Sequence, residues 1–450
     1  MEYKPLTNSQ TENLINSTKK IHNRIISEGN VNSVDFSLNS EQRKDITLRN
    51  YPAPFVVKID STTNRPVFSK NEVFRFKVNT KPYWLEGEGH ALNSDFDFSI
   101  RENVLAPIRR AKASFDFALW IADKNNENLD GELSNLWEYD LPLIYQIKEC
   151  NLNCPLCFVD DESNNPIKKG VILNADKILE TYLHLDELDK IILERNGNFS
   201  ESIQNYIPLN KKVKHIRVSG GEPTIVLEHI LELSDKAKKM KNPPIIQSNS
   251  NLSTGDYIPR QIIDGVFEED ILERIGKNDV PFLVCFKGSD DNNVMQNTSG
   301  YGIDSGRKPS RRINVDLQMR AFKLFTDNCW NVYPDIINPN PATFENFLKT
   351  LDEKVPEASR MLWILDIRPY GPVKSRVSKI LEKNNSPINT DDFLKGMQIN
   401  WDNNFEQCLG IIEKYLREYY PEIKPWIDSD GKEHYYKAEI RPKVNKIWRR

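Results

Sequence analysis

The spacing of apolar and polar positions divides the chain into four stretches. Residues 1–50 are polar and rich in Asn, Ser and Lys, and a weakly amphipathic run around 14–26 predicts a mobile or peripheral helix there. Over 51–123, short β-branched and aromatic runs (FVVKID, FRFKVN, FDFSI, SFDFALWIAD) are punctuated by Pro, Asn and Gly, which predicts a small β-rich domain extending to about 136. Within it EGEGH reads as a turn at Gly87 and Gly89, with His90 a structural or solvated histidine. After Trp137 strand and helix patterns alternate, as in a parallel sheet with crossover helices. Strands are predicted at 141–147, 214–219, 244–248, 282–287, 330–337 and 361–367. Helices are predicted at 174–185, N-capped by Asn174, and at 225–240, 268–275, 314–326 and 343–351.

Six β/α units are too few for a closed eight-stranded barrel. The expected fold is therefore α/β, a partial, open (β/α)6 TIM-like barrel over 137–380 with its active groups at the C-terminal ends of the strands. The polar segment 1–50 and the β-rich domain 51–136, a candidate for substrate recognition, precede it, and a helical extension with a basic tail, 381–450, follows. Residues 289–312 are rich in Gly, Ser, Asn and Asp, lack periodicity and exceed an ordinary βα loop, so they read as a lid or a disordered segment. The terminal KVNKIWRR reads as a solvated end, with a recognition arm as the lesser alternative.

Composition narrows the partners. A chain of 450 residues fits two or three domains, and 38% hydrophobic content is enough to bury a core. Lys plus Arg at 61 against Asp plus Glu at 65 gives a net charge of −4, too balanced for bulk attraction to nucleic acid or membrane surfaces. The longest apolar runs fall far short of the ~20 residues that cross a bilayer, so no membrane insertion is expected. The first residues lack the apolar core of a secretory signal, and the expected address is the cytoplasm, where disulfides are disfavoured.

Three of the six cysteines, Cys150, Cys154 and Cys157, fall within eight positions. A chance C-x3-C-x2-C at this cysteine frequency has a probability of about 0.001, so the cluster calls for a chemical explanation. The run C-N-L-N-C-P-L-C follows the first predicted parallel strand as a compact loop that can aim three thiolates at one centre, a ligand set for zinc or iron–sulfur. Structural zinc needs a fourth protein ligand, and with no second C-x2-C or H-x3-H the substitutes are Cys285 and His184. A cubane cluster on three cysteines keeps one iron open, and an open metal position is a reaction site.

The cysteine loop, with Ser219-Gly220-Gly221-Glu222-Pro223-Thr224 about sixty residues on at the end of the second strand, resembles the radical S-adenosylmethionine (radical SAM) superfamily. From the residues alone, paired glycines allow close backbone approach to a ligand and the Glu222 carboxylate suits an ammonium group, although GGEP in isolation is an ordinary turn. The resemblance spans roughly 141–372, half the chain. It implies that Cys150, Cys154 and Cys157 hold a [4Fe–4S] cluster, that the amino and carboxylate groups of SAM chelate the fourth iron, and that Gly220, Gly221, Glu222 and Pro223 hold the SAM amino group. The implied activity is reductive cleavage of SAM to methionine and a 5′-deoxyadenosyl radical that abstracts hydrogen from a substrate C–H bond, with a flavodoxin or ferredoxin as electron donor.

Gln247-Ser248-Asn249-Ser250-Asn251 resembles strand ends that contact SAM ribose or carboxylate, which makes Ser248 and Asn249 candidates, although such residues also simply end strands. Lys287 or Arg368 is placed to pair with the SAM carboxylate or a substrate anion, an inter-strand ion pair being the equal alternative. The position before the third cysteine, often aromatic in the family, is Leu156, with Phe158 after it. Cys285 reads as core, and with only Cys329 and Cys408 beyond the fourth strand no auxiliary cluster is expected. No catalytic side chain is assigned. A peptide or protein substrate leads because a β-rich domain offers edges to an extended chain. A small metabolite, nucleotide, lipid or RNA substrate stays open, as does a non-catalytic zinc-binding interaction protein.

Overall fold

The alternation of apolar strands with amphipathic helices produces a mixed α/β fold in the computed structural model. The residues described are 7–25, 33–36, 58–59, 66–67, 77–78, 142–147, 150–152, 154–157, 171–183, 215–299, 313–329, 332–365, 367, 371–383, 385–422, 426–427 and 433–436. The chain opens with helix α1 (Asn8–Ile25), strands β1 (Ser33–Phe36), β2 (Lys58–Ile59), β3 (Pro66–Val67), β4 (Lys77–Val78), β5 (Pro142–Ile147) and β6 (Val171–Asn174), and helix α2 (Ala175–Leu183). Then come β7 (His215–Gly220), a 3-10 turn at Pro223–Val226, α3 (Leu227–Ala237), β8 (Ile245–Ser250), α4 (Tyr257–Ile263), α5 (Ile271–Lys277), β9 (Phe282–Phe286) and α6 (Asp291–Ser299). The last third holds α7 (Val315–Asn328), β10 (Val332–Ile337), α8 (Pro341–Lys354), β11 (Trp363–Leu365), α9 (Gly371–Lys383), α10 (Thr390–Tyr419) and the short pair β12 (Trp426–Ile427) and β13 (Glu433–His434).

Five parallel pairings join β5, β7, β8, β9, β10 and β11 in that order. Side chains alternate across each strand, so one face of the sheet carries Ile216, Val218, Ile246, Phe282, Val284, Phe286, Val332, Ile336 and Ile364, all buried in one core with the covering helices. The opposite face is polar towards the C-terminal strand ends, with Arg217, Ser219, Gln247, Asn249, Cys285 and Asp335. Register fixes these faces: Val218 pairs with Ser248 and Ser248 with Phe282, whereas Asn249 pairs with Leu283 and Cys285 with Asp335. Parallel strands bring all the C-terminal ends to one edge, where the cysteine loop leaves β5 and the GGEP turn leaves β7. Helix starts follow local chemistry: Asn314 caps α7 by accepting from the Leu317 N–H at 2.8 Å, and Asn340 caps α8 with Pro341 at its first position.

Three expectations change. Helix α1 is packed on the sheet's helices instead of lying loose: Leu14, Ile15, Thr18, Ile21 and His22 are buried at i, i+1, i+4, i+7 and i+8. His22 reaches the Ile225 carbonyl with Nδ1 at 2.7 Å and the Glu228 carboxylate with Nε2 at 3.0 Å, and its ring lies 5.7 Å from that of Phe267. Two of the five buried positions are polar, which is why the amphipathic signal is weak. Strand β1, in the polar first segment, is also part of the sheet, antiparallel to β5 and β6. Residues 291–299 form α6 where the sequence suggests an aperiodic lid or disorder: Asp290 accepts from the Asn293 N–H at 2.9 Å at its start, and Val294, Asn297 and Thr298 are buried. Residues 300–312 lie outside the described residues.

In the β-rich segment β2 pairs with β3 and β4 with β5, all antiparallel. The remainder, including His90, and also His184, Arg368 and the basic tail, lies outside the described residues. In the C-terminal part, residues Thr390–Tyr419 form the long helix α10. Beyond it the Tyr436 hydroxyl donates to the Leu362 carbonyl at 2.7 Å and accepts from the Ile364 N–H at 3.1 Å, tying the chain's last part to β11. No helix among the described residues is long and apolar enough to cross a membrane.

Candidate functional site

The cysteine loop begins where β5 ends, and β7 runs beside it. Gly220 has φ of 94°, a backbone conformation natural to glycine, and this turn lets the Gly221 N–H donate to the Ile147 carbonyl at 2.8 Å. The GGEP turn is thereby held against the stem of the cysteine loop. Within the loop the Cys157 N–H donates to the Cys154 carbonyl at 3.2 Å, which closes a tight turn between the two residues.

Each thiol has distinct surroundings. Cys150 Sγ accepts from Asn251 Nδ2 at 3.3 Å and from the Leu152 N–H at 3.4 Å. Burial raises the Cys150 pKa, and the neighbouring Cys154 and Glu222 raise it further. Burial pushes the Cys154 thiol up to about 11, against the pull of Lys287 and Arg376, whose positive charges favour the thiolate. Arg376, on α9, donates from Nη1 to the carbonyls of Cys157 at 2.5 Å and Pro155 at 3.3 Å. Burial alone would lower the Lys287 pKa, but Cys285, Cys154 and Asp335 around it hold it above the ordinary lysine range. The donor set is three thiols with two cations beside them and amide N–H groups on one sulfur, an environment suited to a negatively charged thiolate-bound group. Among the described residues, no three Cys, His, Asp or Glu side chains gather closely enough to hold a single metal ion.

Glu222 is fully buried. Its Oε1 accepts from the Thr224 N–H at 3.2 Å and from the Thr224 hydroxyl, and its Oε2 accepts from the Asn251 N–H at 2.6 Å. The carboxylate thus caps the 3-10 turn and ties it to the end of β8. Burial raises the Glu222 pKa, and these donors oppose the rise. An ammonium ligand would share this carboxylate with donors of the chain itself.

Ser248 and Asn249 point to opposite faces, as neighbours on a strand must. Ser248 is fully buried on the helix side with Val218 and Phe282. Asn249 is on the polar face, accepting from Arg217 Nε at 3.1 Å and donating to Ser219 Oγ at 3.1 Å. Cys285 is only partly buried and lies on that same polar face, its Sγ facing the Phe286 carbonyl at 3.6 Å and its backbone paired across the strands with Asp335, so it is not the core residue its sequence neighbours suggest. Cys329 and Cys408 are buried in helix packing, facing the carbonyls of Leu272 at 3.7 Å and Pro339 at 3.6 Å.

Against proteins of known kind, no family model matches the chain, and no curated protein does. A solved cobalamin-dependent S-adenosylmethionine radical enzyme, OxsB with aqua-cobalamin bound, is similar in structure over 54% of this chain and 37% of its own, at 10% identity and a TM-score of 0.31. The match spans little more than a third of that enzyme.

Several residues of the site carry no sequence signal. Gln318, fully buried on α7, donates to the carbonyls of Asn251 at 3.1 Å and Cys285 at 3.3 Å and accepts from the Lys287 N–H at 3.2 Å, joining the ends of β8 and β9. Arg376 sits between Val373 and Val377 on an amphipathic helix, where a basic residue would be read as solvated. Leu156 packs with Ile367, Val373, Val377 and Trp401, so the residue before the third cysteine anchors the loop on α9 and α10.

Proposed function

We propose that this chain is a radical SAM enzyme, with Cys150, Cys154 and Cys157 holding a [4Fe–4S] cluster at the C-terminal end of β5. The six-stranded parallel run with its helical crossovers is read as the partial (β/α)6 barrel of that family. The observation that carries the reading is the junction of two motifs: the C-x3-C-x2-C loop and the GGEP turn leave adjacent parallel strands, joined by the Gly221 N–H to the Ile147 carbonyl. Parallel pairing of β5 and β7 brings the two motifs, about sixty residues apart in sequence, to one edge, where three thiols, paired glycines and a carboxylate can serve one ligand.

When bound, a cluster on these cysteines with SAM would supply one-electron reductive cleavage of SAM to methionine and a 5′-deoxyadenosyl radical, the chemistry needed to abstract hydrogen from a substrate C–H bond. The chain's own residues bind and orient. Leu152, Leu14, Val294 and Leu317 keep the loop dry on one side, and Leu156 and Arg376 fix it on the other. The glycine pair of GGEP opens backbone to the SAM amino group, with Glu222 holding that turn in place; Asn249 on the polar face is the candidate for the rest of SAM. Lys287 supplies a fixed positive charge for a carboxylate. The substrate we propose is a peptide or protein, supported by the strand pattern of 51–136, with a flavodoxin- or ferredoxin-class reductant in the cytoplasm as electron donor.

The test is SAM turnover. The anaerobically reconstituted protein, given a one-electron reductant, should convert SAM to methionine and 5′-deoxyadenosine, and Cys154→Ala should not. Equal turnover by wild type and Cys154→Ala would overturn the reading. Deuterium passing from a labelled candidate peptide into 5′-deoxyadenosine would then identify the substrate class.

A further inference from the structure

Asn251, the first residue past β8, is held from every side. It is 8% exposed. Its backbone N–H donates to Glu222 Oε2 at 2.6 Å and its carbonyl accepts from Gln318 Nε2 at 3.1 Å. Its side-chain Oδ1 accepts from the Ser253 N–H at 2.9 Å. That last bond decides the amide's orientation, because a backbone N–H can only face the oxygen; Nδ2 must therefore face the other way. There it donates to Cys150 Sγ at 3.3 Å and to Asn151 Oδ1 at 3.2 Å. Asn151 is itself fixed by Ser253 Oγ, which donates to its Oδ1 at 2.9 Å, and its Nδ2 lies 3.5 Å from Thr18 Oγ1 on α1. One residue thus links the GGEP carboxylate, through its backbone N–H, with the cysteine loop and, through Asn151, the N-terminal helix.

We infer that Asn251 is a positioning residue whose amide N–H, aimed at Cys150, raises the reduction potential of the cluster held by this loop. The inference rests on the cluster reading above. Reduction adds negative charge shared by the sulfur ligands, so an N–H pointing at one of them stabilises the reduced state more than the oxidised one. Glu222 acts in the opposite sense, since a buried carboxylate near Cys150 disfavours added negative charge. Asn251 addresses both groups at once, with its backbone N–H on Glu222 and its side-chain N–H on the sulfur. In a buried site with few competing donors each such bond counts for more than it would in water.

The experiment is a redox titration, followed by electron paramagnetic resonance, of wild-type protein reconstituted anaerobically with iron and sulfide, beside Asn251→Leu and Asn151→Leu. Asn251→Leu keeps the branched shape with a somewhat larger side chain and loses the N–H to sulfur. We expect it to assemble the cluster with the reduction equilibrium shifted about tenfold towards the oxidised form, which for one electron is about 59 mV more negative. Asn151→Leu disturbs the same loop packing but leaves Nδ2 of Asn251 on the sulfur, and should move the potential by less than a third of that. Should Asn251→Leu fail to fold, Asn251→Ser, which also removes Nδ2 and is smaller, carries the same expectation. An unchanged potential in the Asn251 variant overturns the inference while the cluster reading stands, and so does an equal shift in Asn151→Leu, which would make the effect one of loop packing. A wild-type chain that assembles no cluster overturns the cluster reading, and the inference with it.

Discussion

Consider the chain without its first 26 residues, which removes α1 and leaves β1 onward intact. The structure gives the cost. Leu14, Ile15 and Ile21 are each under 10% exposed, and burying an aliphatic side chain of this size contributes about 1.5–3 kcal/mol, so the three together contribute about 4.5–9 kcal/mol. That range is an upper estimate, because a compact unfolded chain already buries part of this surface. Set against the 5–15 kcal/mol, roughly, of a typical domain, it removes most of the margin. The loss is also local to the site, because Leu14 packs in one cluster with Leu152, Val294, Ile313 and Leu317 and against Cys150 and Cys154. Guanidinium denaturation of the apoprotein, followed by circular dichroism, should find the shortened chain unfolded or its midpoint far below wild type, with iron uptake reduced in parallel. Leu14→Ala is the graded version, with an expected loss of about 2–5 kcal/mol. A shortened chain that unfolds at the wild-type midpoint would refute the packing argument and return α1 to the periphery.

Other outcomes follow from single side chains. Glu222→Ala strips the acceptor from the buried N–H groups of Thr224 and Asn251, at about 1–3 kcal/mol each, so denaturation should show a loss of about 2–6 kcal/mol, and a loss below about 1 kcal/mol would mean that this carboxylate holds nothing. In the same variant, calorimetric titration with SAM should show weaker binding than wild type, and unchanged affinity would leave GGEP as a turn only. For His22, burial alone would lower the pKa, but the Glu228 carboxylate and the Ile225 carbonyl raise it above 6.5. Its folded value therefore exceeds its unfolded one, and its contribution to stability is complete below about pH 6.5 and lost as pH rises through the folded value. Denaturation midpoints measured from pH 6 to 9, roughly the window concerned, should fall more steeply for wild type than for His22→Gln; parallel curves would show that the pair does not anchor α1.

The parallel run of the sheet was legible because several strands are short apolar stretches between helices of clear period: 282–287 is expected and Phe282–Phe286 found, 141–147 expected and Pro142–Ile147 found. What did not show depends on tertiary partners. Helix α1 buries Thr18 and His22 among its apolar residues, so its contact face does not read as one. Strand β1, SVDF, is four residues whose only cause for being a strand is the neighbouring edge of β5 and β6. Helix α6 is held by Asn and Thr side chains, among them Asn297 Nδ2 on the Lys287 carbonyl at 2.8 Å, instead of by an apolar stripe. In the site, the cysteines and GGEP stood out by spacing, whereas Arg376, Gln318 and Asn251 act through carbonyls and a sulfur far away in sequence, contacts that no local pattern encodes. The same blindness made the helix of segment 1–50 look mobile or peripheral, although α1 touches the cysteine loop.

The central claim is that three thiols on one loop hold an iron–sulfur cubane, and metal content measures it directly. Anaerobic reconstitution of the full-length chain, followed by iron and acid-labile sulfide analysis, should give about four of each per chain, with a brown colour, and Cys150→Ala, Cys154→Ala or Cys157→Ala should each lose them while Cys329→Ala and Cys408→Ala do not. A Cys154→Ala protein carrying the full complement of iron would contradict the claim, as would a wild-type chain that takes up stoichiometric zinc and no iron.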